Sequence, residues 1–397
     1  MRIFYAADTT PNAALESNLW RENLCAPLID MGHEIVEFRY DLRDIFRNLD
    51  PADPDQRHFI ERTRPRTSRE LVTQVRAAHA ERPIDLFLSY FYDACVLPEA
   101  IDEIRSLGIV TMNWYCNASY QLHLVSAIAP RYDWCLVPEK YRLADYAALG
   151  ARPIYCQMAA NPSVYRPHAV PLEFDVTFVG QAYGERPAYV RYLHDEGIDI
   201  RVWGPGWTGE PLVGKDGMGV SSLRRVPAAA RKLLTARTWK RALGRLRRRA
   251  AEWGGLVGQP TQSPVLVPRE IAGNALTDLE MVLMYSRSRI NLGFSSVGET
   301  HSQNERIVQI RLRDFEVPMS GGFYMVEHMD ELREFYEIGR EIVCYHDRRD
   351  LADKIRFYLT HEREREEIRL AGRERALRDH TWRRRFENVF AEAGLVT

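Results

Sequence analysis

The stretch from Arg311 to Glu327, RLRDFEVPMSGGFYMVE, places one carboxylate among apolar residues just before a glycine-rich turn. Glu316 stands between Phe315 and Val317, and the turn Ser320-Gly321-Gly322 opens an apolar run that is typical of a strand. A carboxylate in apolar surroundings is costly to bury unless it has a partner. Glu316 is therefore a candidate for binding a ligand or for pairing with a cation.

Two interpretations of Glu316 follow from chemistry alone. Each oxygen of a carboxylate can accept one hydroxyl proton, which suits the two vicinal hydroxyls of a ribose. A Ser-Gly-Gly turn leaves its backbone N–H groups open to an anion, so the two features suit a ribose next to a phosphate. In the other interpretation Glu316 pairs with Arg311 or Arg313 as a structural ion pair, and the glycines only make the turn.

Composition limits the class of protein. A chain of 397 residues is too long for one ordinary core, which favours two domains. The net charge of -1 provides no global field for nucleic acid or membrane, and no apolar run reaches ~18 residues. The six cysteines are scattered without a Cys-x-x-Cys pair, which indicates a reducing cytoplasm and argues against a cysteine-rich zinc site.

Strand-like and helix-like segments alternate along the chain, with a proline-rich pause at residues 159–171. This pattern predicts an α/β fold of two doubly wound Rossmann-like domains facing each other across a cleft. We expect an N-terminal domain at 1–165 and a C-terminal domain at 172–380. We also expect a basic helical insertion at about 210–273 and a last helix, 381–397, that returns to the N-terminal domain. Ligands of such sheets bind beyond the carboxyl ends of the strands.

Local patterns make further predictions. A helix from about Glu305 to Pro318 would place Glu316 in its last turn, facing the glycine turn. Asp347 is a plausible N-cap for the helix DRRDLADKIRFYLT. The first strand is followed by no glycine-rich dinucleotide fingerprint, and no P-loop is present. The only Asp-x-Asp triplet, Asp53-Pro54-Asp55, follows no strand and is interpreted as a solvated loop.

The segment from Arg311 to Phe386 closely resembles the C-terminal part of CgeB-like (spore-maturation-type) glycosyltransferases, which have the GT-B fold. In that family an Arg-x-Phe-Glu element precedes a Ser-Gly-Gly turn and a strand; the matching residues here are Arg313, Phe315 and Glu316. DVTFVGQAYGERPAYVRYL and MVLMYSRSRINLGFSS resemble further parts of the same domain. The resemblance is weaker in the N-terminal half and leaves out about 210–273.

The resemblance implies a metal-independent, hexosyltransferase-type enzyme that moves a sugar from a nucleotide-sugar co-substrate to a glycan, lipid-linked or small-molecule acceptor, with no other cofactor. By analogy Glu316 holds the donor ribose, and Arg186 or Arg313 neutralises the leaving diphosphate. The full set of implied donor-binding residues is Glu316, Arg313, Ser320, Gly321, Gly322, Gly180, Tyr183 and Arg186.

Two departures from related sequences leave the chemistry open. Many retaining GT-B enzymes carry a second Glu eight positions before the ribose Glu, where this chain has Val308. Acidic residues often follow the NW-x-C element, where this chain has Asn117 and Ala118. His123 and His301 remain as candidate general bases, or are ordinary histidines. The anomeric configuration could be inverted or retained. Two other functions are also open: an epimerase or phosphorylase on the same fold, and a non-catalytic nucleotide-sugar or glycan binding module.

The segment 224–249 carries eleven Lys or Arg and no Asp or Glu. Apolar residues, including Trp239 and Trp253, recur at helical spacing across 224–253, which is typical of a helix on an anionic membrane surface. Such a peripheral contact at the inner face of the membrane would suit a lipid-linked acceptor. Alternatively, the apolar stripe packs on its own domain. A nucleic-acid partner is disfavoured, because the rest of the chain is not basic.

Overall fold

Two six-stranded sheets form the centre of the protein, and every strand pairing in both sheets is parallel. A computed structural model describes residues 1–8, 18–46, 49–208, 267–297 and 306–395. The prediction of two doubly wound α/β domains is confirmed. The first sheet contains β1 (Arg2–Ala6), β2 (Glu34–Glu37), β3 (Leu86–Ser89), β4 (Val110–Trp114), β5 (Trp134–Val137) and β6 (Pro153–Tyr155). The second contains β7 (Phe174–Val179), β8 (Ile200–Trp203), β9 (Ala272–Gly273), β10 (Ser288–Gly293), β11 (Tyr324–Glu327) and β12 (Val343–Tyr345).

The order of the strands locates the crevices in which a ligand can bind. The first sheet runs β2-β1-β3-β4-β5-β6 and the second β12-β11-β10-β7-β8-β9. The direction of winding therefore reverses between β1 and β3 in one sheet and between β7 and β10 in the other. Loops leave such a pair of strands in opposite directions, which opens a crevice at the carboxyl ends.

Helices cover both sheets, and their sequences explain where several of them begin. The carboxylate of Asp347 accepts hydrogen bonds from the backbone N–H groups of Arg349 and Asp350, which confirms it as an N-cap. Thr277 and Glu280 form a reciprocal capping box at the start of another helix. The α-helices of the described residues are α1 (Ala26–Asp30), α2 (Pro54–Glu81), α3 (Pro98–Ser106), α4 (Ala118–Gln121), α5 (Leu143–Ala148), α6 (Arg186–Asp195), α7 (Asp278–Arg287), α8 (Arg313–Met319), α9 (Arg348–Thr360), α10 (Glu362–Asp379) and α11 (Trp382–Glu392).

Two local predictions were wrong. Asp53-Pro54-Asp55 is the start of the 28-residue helix α2 rather than a loop, because the Asp53 carboxylate accepts from the N–H of Asp55 at 2.8 Å and Pro54 has the φ angle that a first helical residue requires. The helix before the glycine turn begins at Arg313 instead of about Glu305, so Glu316 lies in its middle.

The last helix lies against the N-terminal sheet. Trp382, at the start of α11, is fully buried, and its indole Nε1 donates to Asn23 Oδ1 at 3.0 Å. Thr381 forms a parallel bridge with Ala160. Farther along the crevice, the Ser119 hydroxyl donates to the side chain of Gln309 from the other half of the chain. The segment 224–253 and His301 lie outside the described residues. No helix in the described ranges is long and apolar enough to cross a membrane.

Candidate functional site

The loop after β7 turns away from the sheet at Gly180. A Cβ atom on this residue would lie 2.6 Å from Cζ of Phe178, so only glycine fits. The carbonyl of Gly180 accepts a hydrogen bond from Trp207 Nε1 at 2.6 Å, which fixes the loop. The chain then passes Tyr183 and enters α6 at Arg186, at the reversal point between β7 and β10.

Arg186 is buried in this loop. Its guanidinium lies over the ring of Tyr183, 3.8 Å from the ring centroid, and Nη1 donates to the carbonyl of Gln181 at 3.1 Å. Only 7% of the residue is exposed. Aromatic rings and one carbonyl therefore hold the guanidinium in place. Neither kind of contact carries a negative charge, so the positive charge of Arg186 is not neutralised by them.

Arg311 contacts the loops that follow both strands of the reversal point, β7 and β10. Its Nη2 donates to the carbonyl of Ser296, just beyond β10, at 2.5 Å. The same nitrogen lies 3.4 Å from the hydroxyl of Tyr183 in the loop after β7. Two residues later, at the start of α8, Nη2 of Arg313 approaches the sulfur of Met281 at 3.6 Å.

These three arginines form a cationic cluster that has no ion pair with a described carboxylate, although Glu316 lies beside Arg313. In the part of the chain that the structure describes, the buried Nε atoms of Arg186, Arg311 and Arg313 have no hydrogen-bond partner. The nearby carboxylates Glu185 and Glu327 pair with Arg306 instead. Burial lowers the pKa of Arg186 to about 10, and the charges of the other two lower it further against the opposing effect of Tyr183. A buried charge without a partner is unfavourable, so an anion bound here would be strongly favoured.

Glu316 lies near this cluster but is itself enclosed. It is 2% exposed, in the middle of α8, with the hydroxyl of Tyr165 and the guanidinium of Arg313 beside it. Burial raises the pKa of Glu316, and Arg313 and Tyr165 oppose that shift. Both interpretations of Glu316 therefore remain: its carboxylate has a nearby cation, and it also lies within one helical turn of the cluster.

The glycine turn lies at the opposite end of the sheet from Gly180 and Arg186. Ser320-Gly321-Gly322 leads into the amino end of β11, whereas Gly180 and Arg186 follow the carboxyl end of β7. Gly321 has a φ of 73°, a Cβ there would lie 2.9 Å from Pro167, and its carbonyl accepts from Arg369 Nη1 at 3.0 Å. The turn is packed against other parts of the chain, and only the Ser320 hydroxyl is left buried without a partner.

No described contact joins His123, the first candidate base, to the cluster. His123 is exposed, with Nε2 3.5 Å from the carboxylate of Asp50. His301 is not among the described residues. Sequence reasoning considered Arg311 only as a partner for Glu316, and it overlooked Glu139 and Tyr120 on the opposite side of the crevice. The available signal for Glu139 was its position, two residues after the buried strand β5.

The sequence model of the glycosyl transferase-like family matches residues 186–391, just over half of the 397. The chain belongs to that glycosyltransferase family. The matched segment begins at Arg186 and contains the whole cationic cluster together with Glu316. Among the described residues, no group of three or more His, Cys, Asp or Glu side chains is arranged to hold a metal ion.

Solved GT-B glycosyltransferases show the same fold. Sucrose-phosphate synthase from Thermosynechococcus elongatus aligns with a TM-score of 0.56 and 13% identity, over 99% of each chain. HepE from Anabaena in complex with UDP aligns with a TM-score of 0.53 and 9% identity, over 99% of this chain and 100% of that one. An alpha-glucosyltransferase bound to UDP-glucose and DNA aligns with a TM-score of 0.55 and 10% identity, over 99% of each chain. Curated protein sequences include no match to this chain.

Proposed function

We propose that this glycosyltransferase moves a hexose from a nucleotide-sugar donor to a hydroxyl-bearing acceptor without a metal ion, and that it is of the CgeB-like type. The observation that carries the proposal is the cluster of the buried Arg186 with the partly buried Arg311 and Arg313, none of which forms an ion pair with a described carboxylate. A diphosphate would supply the missing negative charge. UDP and UDP-glucose complexes of HepE, which has the same fold, are consistent with such a donor.

The cluster has the properties that a departing diphosphate requires. When the bond between the anomeric carbon and the phosphate oxygen breaks, negative charge grows on the diphosphate, and fixed cations stabilise it. Arg186 and Arg311 are already positioned by Tyr183 and by backbone carbonyls, so they need little rearrangement as the charge develops. Low exposure of the site strengthens this interaction relative to water.

Glu316 completes the proposed donor site as the acceptor of the two ribose hydroxyls. Its position one turn into α8, next to Arg313, supports a nucleotide with its diphosphate on the arginines and its ribose on the carboxylate. The hydroxyl of Tyr165 occupies one side of Glu316 in this structure. A ribose hydroxyl would then replace or join that interaction.

A donor panel tests the proposal. Purified protein is mixed with UDP-glucose, UDP-galactose, UDP-N-acetylglucosamine, GDP-mannose and dTDP-glucose, and thermal unfolding is followed. A ligand that binds only the native state raises the melting temperature. We expect one nucleotide class to do so, and release of its nucleoside diphosphate when hydroxyl acceptors are added. Conversion of the donor to an epimer, or phosphate-dependent release of a sugar phosphate, would overturn the transferase assignment.

A further inference from the structure

Glu139 is a buried carboxylate that the donor site does not use. It follows β5 after a single proline, at the carboxyl edge of the N-terminal sheet, and is 4% exposed. Neither of its carboxylate oxygens forms a well-aligned hydrogen bond among the described residues, although the backbone amides of Glu139 and Ser119 lie close to it. Leaving both oxygens of a buried carboxyl group without a partner is unfavourable, and such a group requires an explanation.

The neighbours of Glu139 do not neutralise it. Arg142 is the nearest cation, but its Nη1 pairs with Asp145 at 2.7 Å and its Nη2 donates to the carbonyl of Ser119 at 2.5 Å. Burial raises the pKa of Glu139 to about 7, and the charge of Glu331 raises it as well. The backbone amides of Glu139 and Ser119 and the charge of Arg142 oppose this shift in the pKa. A carboxyl group that titrates near neutral pH is suited to accepting and releasing a proton under working conditions.

Glu139 also faces the half of the molecule that carries the arginine cluster. The hydroxyl of Ser119, whose amide lies near Glu139, donates to Gln309, and Gln309 is two residues before Arg311. Tyr120 connects the two sides: burial raises its pKa to about 12, Arg311 lowers it and Glu139 raises it. The charges of Glu139 and Arg311 therefore act on one phenol in the crevice.

Two exposed aromatic rings flank this carboxylate. Tyr120 is 38% exposed and Tyr141 is 48% exposed, so part of each residue is open to solvent. Burial and then the charge of Glu139 raise the pKa of Tyr141 to about 12, which places this ring near the same carboxylate. Flat apolar faces beside a carboxylate fit a sugar ring, which has an apolar C–H face and hydroxyls at its edge.

We propose that Glu139 is the general base of the transfer reaction and that, with Tyr120 and Tyr141, it forms a subsite for a pyranose acceptor. This assignment rests on the proposed function above. The acceptor oxygen forms a bond with the anomeric carbon of the donor, and the bond from that carbon to the diphosphate oxygen breaks. The diphosphate leaves with the electron pair onto the arginine cluster, and the acceptor's hydroxyl proton passes to Glu139.

The test compares Glu139→Gln with the wild type and with Glu331→Gln. Glu331 is a neighbouring carboxylate that accepts from Gln157 at 3.4 Å and is not proposed to touch the acceptor. Because its charge raises the pKa of Glu139, Glu331→Gln controls for the loss of one nearby negative charge. The donor is whichever nucleotide sugar of the panel raises the melting temperature, and methyl glycosides of glucose, galactose and mannose serve as acceptors. Donor Kd, kcat for diphosphate release and the pH profile are measured for each protein.

We expect Glu139→Gln to lower kcat at least 100-fold, as for loss of a general base, with donor Kd changed less than twofold. The acidic limb of the wild-type profile near pH 7 should disappear. Glu331→Gln should stay within threefold of the wild type. In Glu139→Ala, added formate should restore at least a tenfold increase in kcat, which a purely structural carboxylate would not allow.

Other results would overturn the assignment. These are a kcat within threefold of the wild type for Glu139→Gln, a parallel loss of donor affinity, or donor binding without turnover on any methyl glycoside. Failure of every donor to shift the melting temperature of the wild type would instead remove the proposed function on which the assignment rests. If Glu139→Gln does not fold, Glu139→Asp replaces it, and an acidic limb unchanged from the wild type would contradict the role.

Discussion

The guanidinium of Arg186 lies 3.8 Å from the ring centroid of Tyr183, and the hydroxyl of that tyrosine lies 3.4 Å from Nη2 of Arg311. One side chain thus holds two cations close together at the point where the C-terminal sheet reverses its winding. Like charges repel, and here no described carboxylate separates them. The arrangement stores unfavourable electrostatic energy in the free protein that a bound polyanion would relieve.

Replacing Arg186 should weaken donor binding without weakening the fold. Arg186→Met keeps an apolar contact with Tyr183 but removes the buried charge. We expect donor binding to lose about 1.5–3 kcal/mol, the scale of a hydrogen bond to a charged group, and the melting temperature of the free protein to stay or rise. Calorimetric titration and thermal unfolding measure both. Arg191→Gln is the matched control: Arg191 lies on the same helix, 46% exposed and paired with Asp195, and should leave donor affinity unchanged.

Glu316→Gln separates the two interpretations of Glu316. The amide keeps the shape of the side chain but weakens acceptance from two hydroxyls, so a ribose-binding role predicts a loss of about 1.5–3 kcal/mol in donor affinity. Titration with the nucleoside diphosphate alone suffices, since it retains the ribose. A lower melting temperature with donor affinity intact would identify Glu316 as the structural partner of Arg313.

The stability of the fold should depend on pH through Glu139. Its pKa is about 7 in the folded protein against a usual value of 4.5, so the folded state favours the protonated form. The stabilisation is complete below pH 4.5 and is lost as the pH rises through 7; the shift corresponds to about 3 kcal/mol.

Urea unfolding from pH 4.5 to 8 should show this loss in the wild type relative to Glu139→Gln. His380, whose pKa burial lowers to about 4, changes stability in the opposite direction but does so in both proteins. Parallel curves for the two proteins would contradict the assignment.

Turnover should survive chelation. The proposed site neutralises the diphosphate with arginine side chains, and within the described ranges no three-residue cluster of metal ligands lies near them. We expect diphosphate release to proceed at an unchanged rate in EDTA. Loss of turnover that magnesium or manganese restores would show that a metal ion takes part of this role.

The basic segment 224–253 remains a prediction from the sequence. If it binds anionic membranes, the protein should cosediment with anionic but not neutral liposomes at low salt, and less at high salt, because each basic residue near such a surface contributes about 1 kcal/mol. The variant carries four changes to glutamate, at Lys240, Arg241, Arg245 and Arg248. Equal sedimentation of wild type and variant would favour packing of the segment on its own domain.

The overall architecture could be predicted from the sequence because it depends on local patterns. Strands of the two sheets are short apolar runs separated by amphipathic helices, and caps such as Asp347 stand directly before the helices they begin. Asp53 shows the limit of this reasoning. Its Asp-Pro-Asp triplet is also a good helix start, and the pattern alone favoured a loop because no strand preceded it.

The sequence by itself determined the fold class, through its periodicity, and the glycosyltransferase family, through its family motif. Its resemblance to that family also named Arg186, Arg313 and Glu316 as candidate donor-binding residues. Only the tertiary structure decided which residues share a site. Arg311 contacts Tyr183 because β7 and β10 are adjacent in the sheet although they are far apart in sequence. The glycine turn, in contrast, is close to Glu316 in sequence but leads into the opposite edge of the sheet. Glu139 became visible in the same way: whether a carboxylate lies buried without a partner depends on every element packed around it.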